Sequence, residues 1–218
     1  MRADPLPLLV VAAASVLLFP SPARAGATVF PLQVIEGVDR PRGTCFVIHQ
    51  ESLGDETAIY FITSASLFDM RRHPRARIFV KGMEPLDIGP DGIFVSDDNR
   101  IDIAVLRAVS GGAWLKPMPI ALEPVSPGAG FVISGFHPDG SRALVTQHVR
   151  FVEPRTVLGH PSAGGMAGCH GAPAIIEHRV FGLISECAPD RGPVITLLSA
   201  ARDFLIRTVP GLLDDEVW

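Results

Sequence analysis

Gly168-Cys169-His170-Gly171-Ala172-Pro173 opens the stretch that decides how this chain is read, and it continues without a break through 174–185. Two glycines bracket a histidine, the composition of a tight loop, because glycine enters backbone conformations that other residues avoid. Behind the loop lie two short β-rich runs, 173–176 and 180–185, separated by a turn. Outward from there the pattern repeats. Strands are expected near 28–36, 43–50, 58–64, 76–81, 92–96, 102–108, 130–137, 144–153 and 193–198, divided by Gly, Pro, Asp or Asn turns. Many short strands at regular spacing predict a β-barrel or sandwich. Only 199–209 reads as a helix, with Leu205, Ile206 and Val209 on one apolar side and Pro210-Gly211 as its stop.

The first 25 residues read differently. Met1-Arg2 precedes an apolar run over 6–19, and Ala23-Arg24-Ala25 is a small-x-small cleavage site. This is the pattern of a secretory signal peptide over 1–25, and it predicts a periplasmic or secreted protein. Pro20 breaks the apolar run, which is short for a bilayer span, and no later stretch is long enough to cross a membrane. Removal of Arg2, Asp4 and Arg24 takes the net charge from −4 to −5. Such a chain lacks the positive footprint of a nucleic-acid binder. The three cysteines, Cys45, Cys169 and Cys187, leave one unpaired if two are bridged, or all three are buried thiols acting as small core hydrophobes. No Cys/His spacing fits zinc, and no cofactor motif is present.

Four segments, in order, resemble the chymotrypsin/trypsin clan of serine peptidases, especially its bacterial secreted members. Gly43-Thr44-Cys45-Phe46-Val47-Ile48 is similar to the strand before the catalytic histidine. Tyr60-Phe61-Ile62-Thr63-Ser64-Ala65-Ser66-Leu67-Phe68 resembles the strand ending in Thr-Ala-Ala-His, with Ser66 in the histidine slot. Asp102-Ile103-Ala104-Val105-Leu106 matches the Asp-Ile-Ala-Leu-Leu strand, which places Asp102 on the acid that orients the histidine. The stretch 168–185 aligns with the Gly-Asp-Ser-Gly-Gly-Pro loop and the strand after it, with His170 in the serine slot. A weaker match is 130–138, similar to a Gly-Tyr-Pro strand of bacterial relatives. The resemblance implies two six-stranded antiparallel β-barrels with a short C-terminal helix, one barrel over 26–120 and the other over 121–218, with the site in the cleft between them. A second register would put Ala167 in the serine slot, at the cost of a three-residue insertion before Pro173. Either register lacks the nucleophile.

Acyl transfer by this mechanism needs a serine to attack, a histidine to take its proton, and a carboxylate to hold the histidine. Only Asp102 stands in its slot. Loss of nucleophile and base together removes the covalent route, so the resemblance predicts a peptidase homologue without proteolytic activity that binds peptide or protein in its cleft. The alternative is an active endopeptidase with a non-standard nucleophile, Ser66 or Cys169. A reversed pair, Ser66 attacking with His170 as base, would set the oxygen several ångströms from the oxyanion hole, where about 1 Å of misplacement can cost a hundredfold. A Cys169 thiolate would need a neighbouring base or positive field.

The resemblance also implies a binding apparatus. The oxyanion hole maps to the amides of Gly168 and His170, and Gly164 maps to the floor of the specificity pocket. Gly182, Leu183, Ile184 and Ser185 map to the strand that pairs with extended substrate by β-augmentation. A disulfide tying the loop to the segment behind this strand maps near Cys169 and Cys187. The other histidines, His49, His73, His137, His148, His160 and His178, are expected at the surface or in turns. Arg71, Arg72, His73, Arg75, Arg77 and Lys81 form a basic run directly after the missing histidine, either a solvated face or a patch for an acidic partner.

Overall fold

The computed structural model describes residues 28–36, 38–111, 114–137, 141–152, 156–159, 169–188 and 192–213. Its first sheet holds β1 (Val29–Glu36), β2 (Val38–Leu53), β3 (Glu56–Thr63), β4 (Arg75–Ile78), β5 (Leu86–Ile88), β6 (Ile93–Val95) and β7 (Ala104–Ser110). They pair antiparallel in the order β5-β4-β1-β2-β3-β7-β6. The two outermost strands, β5 and β6, are joined only by the turn Gly89-Pro90-Asp91-Gly92, so the sheet must curl until its ends meet. Gly92 fits there because a Cβ would come within 2.7 Å of the Arg107 carbonyl on β7 and 2.8 Å of Ile88 on β5.

The second sheet is a closed barrel of β8 (Gly130–Phe136), β9 (Arg142–Val152), β10 (Thr156–Gly159), β11 (Pro173–Ile176), β12 (Arg179–Ala188) and β13 (Gly192–Leu197). The chain ends in a 3-10 turn (Ser199–Ala201) and one short helix, α1 (Arg202–Thr208). The architecture is therefore all-β with one C-terminal helix, as expected. The first sheet differs in having seven strands, because Leu86–Ile88 forms a strand too short to read between Pro85 and Gly89.

Three apolar clusters follow from the alternation of side chains along the strands. Cys45, Val47, Ile59 and Phe61 point into the first sheet's interior, where Phe30 and Phe61 meet edge to face at 6.1 Å. Phe131, Ile133, Cys169, Phe181 and Ile195 fill the closed barrel. The intervening residues of β2 and β3, namely Phe46, Ile48, Ala58, Tyr60 and Ile62, face outward yet are buried too. They pack with Val180 and Leu183 of β12 and with Phe204 and Leu205 of α1. Strand β3 is consequently buried on both faces from Thr57 to Thr63, and its sequence is apolar almost throughout.

The connecting segment 114–127 is strapped to both sheets. The Leu115 amide donates to Gln50 Oε1 at 2.8 Å, and the Met118 amide to the Val47 carbonyl at 2.8 Å. Further on, Ala121 donates to Val180 and Val180 to Pro119, forming a short parallel bridge to β12.

Candidate functional site

Thr63 pairs with Ala104, so β3 and β7 end side by side and the residues just beyond them meet. Those residues are Ser64 and Ser66 on one side and Asp102 on the other. Ser64 is fully buried and its hydroxyl donates to Asp102 Oδ2 at 2.5 Å. The Ser66 amide donates to Oδ1 at 2.6 Å, and its hydroxyl lies 3.3 Å from Oδ2. The two serine hydroxyls are 2.7 Å apart. The half-buried carboxylate is thus satisfied by neutral donors of a tight serine turn, with no basic side chain at contact distance among the described residues.

The loop 169–172 reaches this corner from the barrel. Its shape is set by four backbone bonds: Ala172 to the Cys169 carbonyl, Gly171 to Ile184, Ile184 back to Ala172, and Thr44 to His170, all at 2.8–2.9 Å. Gly171 has φ +80°, and a Cβ there would land on the Thr44 carbonyl and the Thr63 hydroxyl and within 3.1 Å of the Ser64 amide. The loop is therefore pressed against the strand ends that carry the Asp102 cluster. Thr44 clasps the contact, its carbonyl accepting from the Thr63 hydroxyl at 2.7 Å and its hydroxyl from the Phe136 amide at 3.1 Å. Gly135 leaves room beside it, since a Cβ would meet Ala172 at 2.8 Å.

The structure thus gathers Asp102, Ser66 and the His170 loop into one place, and adds Ser64, Thr44 and Thr63. The signal for Thr63 and Ser64 was present, whereas nothing in the sequence singled out Thr44. Thr63-Ser64-Ala65-Ser66 puts three hydroxyls in four residues at the end of an apolar strand, where a buried carboxylate would need donors. The ring of His170 is not joined to the cluster. Its Nδ1 is buried without a hydrogen-bond partner, and no bond links it to Ser66 or Asp102. Gly168 and Gly164, expected in the oxyanion hole and the pocket floor, lie outside the described residues.

The expected substrate-pairing strand needs correction in its position. Gly182 and Leu183 have a strand on each side, pairing with Ala174 and Pro173 of β11 and with Leu197 and Thr196 of β13. Ile184 is held on its outer side by Gly171 and Ala172. Among the described residues, the unpaired edge of β12 starts only at Ser185 and runs to Cys187, where β13 is the sole neighbour.

The expected bridge between Cys169 and Cys187 is also corrected: all three cysteines are free thiols. The loop is closed instead by its backbone bonds to Ile184. Burial pushes the Cys169 thiol up to about 11, and burial followed by the neighbouring Cys169 and Glu186 pushes Cys187 up to about 12. A thiol so raised is the opposite of an activated nucleophile. Burial likewise pushes the Cys45 thiol well up. One histidine also departs from expectation. His49 is buried on β2 at a bulge, its ring 5.8 Å from Tyr60. His73 and His178 do occupy exposed turns with positive φ, whereas His160 lies outside the described residues. Among the described residues, no three His, Cys, Asp or Glu side chains are grouped to hold a metal, and no helix is long and apolar enough to cross a membrane.

No protein-family model matches the sequence, and no curated protein matches it. Solved structures do. The serine endoprotease from Yersinia pestis superposes with a TM-score of 0.67 at 12% identity, over 86% of this chain and 65% of that one. A kallikrein-related peptidase 10, in complex with Zn2+, superposes with a TM-score of 0.62 at 11% identity, over 82% of this chain and 94% of that one. The chain therefore spans about two thirds of the length of the Yersinia enzyme. At these identities the likeness is one of architecture: two curled antiparallel sheets and a short C-terminal helix make this a chain with the trypsin-like serine protease fold.

Proposed function

We propose that this protein is an exported, proteolytically inert homologue of the trypsin-like peptidases that binds an extended peptide or protein segment in the cleft between its two sheets. The observation that carries the reading is the state of Asp102. Its carboxylate is taken up by the Ser64 hydroxyl and by the amide and hydroxyl of Ser66, where peptidase chemistry needs an imidazole. A carboxylate alone is too weak a base to deprotonate a serine hydroxyl. Cys169, the other candidate nucleophile, is buried, and burial alone acts on its thiol. Export follows from the signal-peptide pattern over 1–25, with a periplasmic or extracellular destination and the two barrels divided near residues 120 and 121.

Binding by strand addition would use the edge at 185–187, because an unpaired row of backbone donors and acceptors is a template for another strand. Hydrogen exchange tests this directly. On adding an unstructured peptide library or unfolded casein, the amides at 185–187 gain protection and no new peptide ends appear. Protection confined to other segments, or accumulation of cleaved products, would overturn the reading.

A further inference from the structure

The outer face of the first sheet is covered over β2, β3 and β7 by the barrel and α1, but not over β4. On β4 and just beyond it, Ala76, Ile78 and Val80 point into the core, while Arg75, Arg77 and Phe79 point outward. Phe79 keeps 40% of its surface exposed, and Met70, in the turn before β4, keeps 41%. Arg71 and Arg72 lie in that same turn, Met70–Arg72. Two of these arginines are paired: Arg72 with Asp69 at 3.1 Å, and Arg77 with Asp87 through two bonds of 2.7 and 2.9 Å. Arg71 and Arg75 are exposed and, among the described residues, make no ion pair at contact distance.

We propose that this face is a docking surface for an acidic protein segment that also carries apolar side chains. Charge supports the choice of partner. Residues 69–87 hold five Lys or Arg against three Asp or Glu, a local excess of +2 in a chain of net −4, which leaves −6 for the rest. With a Debye length of about 8 Å at physiological salt, a short acidic segment feels the patch alone. A long polyanion such as nucleic acid, or an anionic membrane, extends over the acidic remainder and is repelled. Exposed Met70 and Phe79 among the arginines fit a segment whose acids alternate with apolar residues, since burying those side chains adds to what screened charges provide. The inference is independent of peptide binding in the cleft, because residues 70–79 and 185–187 belong to different sheets.

The test uses the full chain and a fluorescein-labelled peptide alternating Glu with Leu or Phe, read by anisotropy. Binding is expected to weaken about tenfold in an Arg71→Glu/Arg75→Glu double variant and to fall steeply as salt rises. Both positions are exposed, so the variant should unfold at the wild-type temperature. For the wild type alone, hydrogen exchange should show peptide-induced protection within 70–79. Equal binding by the charge-reversed variant would overturn the proposal. So would equal binding of the Gln version of the peptide, or tighter binding of phosphatidylglycerol vesicles or polyphosphate. Protection at 185–187 alone would overturn it while leaving the cleft reading intact.

Discussion

At the scale of single residues, Asp102 shows how a half-buried carboxylate can be satisfied by the neutral donors of a serine turn. The carboxylate sits just before β7, beside the end of β3, and Ser64 and Ser66 supply its donors. Asp102→Ala would remove the charged acceptor of the Ser64 hydroxyl and the Ser66 amide, leaving the Ser64 hydroxyl only that of Ser66. A hydrogen bond to a charged group is worth about 1.5–3 kcal/mol, so urea denaturation should show a loss of that size, with Asp102→Asn losing less. Were Asp102 idle, both variants would unfold like the wild type. The thiols give a pH dependence. Cys169 is raised from 9.0 to about 11 by burial, so the folded state holds its proton more tightly than the unfolded state does. Its contribution to stability is complete below pH 9 and is lost as pH rises from 9 towards 11. Unfolding free energies measured across that window should fall for the wild type, and less steeply for Cys169→Ala.

At the scale of elements, the loop 169–172 depends on one glycine. Gly171 combines a φ of +80° with a position where a Cβ would overlap the backbone of Thr44. Gly171→Ala should therefore cost more than about 3 kcal/mol, because backbone strain and steric overlap act together. Retention of the wild-type melting temperature would show that the loop does not rest on β2 as described. This glycine was visible in the sequence as part of the loop, and the strands that frame it were visible too. β3, β8, β11 and β12 fall within a few residues of where alternation and turn residues put them. The misses have physical causes. β5 and β10 have three and four residues, too short for a period of two to register, and unlike the equally short β11 neither adjoins a segment that carries the resemblance. The true open edge of β12 escaped because register, not composition, decides which residues of a strand have a neighbour, and that register is fixed by the bulge at Ser185 and by the bonds of Ile184 to the loop. The cysteines misled because the resemblance maps a bridge near Cys169 and Cys187, whereas the fold closes the loop with backbone bonds.

At the scale of the whole molecule, the two sheets are joined by an apolar cluster that no single sheet owns. Phe46, Tyr60 and Ile62 of the first sheet meet Leu183 of the barrel and Leu205 of α1. Leu205 is fully buried, so Leu205→Ala should destabilise the fold by about 2–5 kcal/mol. The loss should appear in probes of both sheets, since the cluster joins them. A loss confined to the helix would contradict the shared core. The same packing explains why the architecture survives at identities of 11–12% to its structural neighbours. Cores tolerate extensive apolar substitution when volume and pattern are kept, whereas a proton relay tolerates none of its members being exchanged.

The proposed inertness requires that Asp102 support no imidazole and that neither Ser66 nor Cys169 act as a nucleophile. Hydrolysis of unfolded casein by the purified full-length protein, followed by the appearance of new amino termini, tests this most directly. The account predicts the same background release from the wild type, Ser66→Ala and Cys169→Ala. Turnover by the wild type that disappears with either substitution would contradict it.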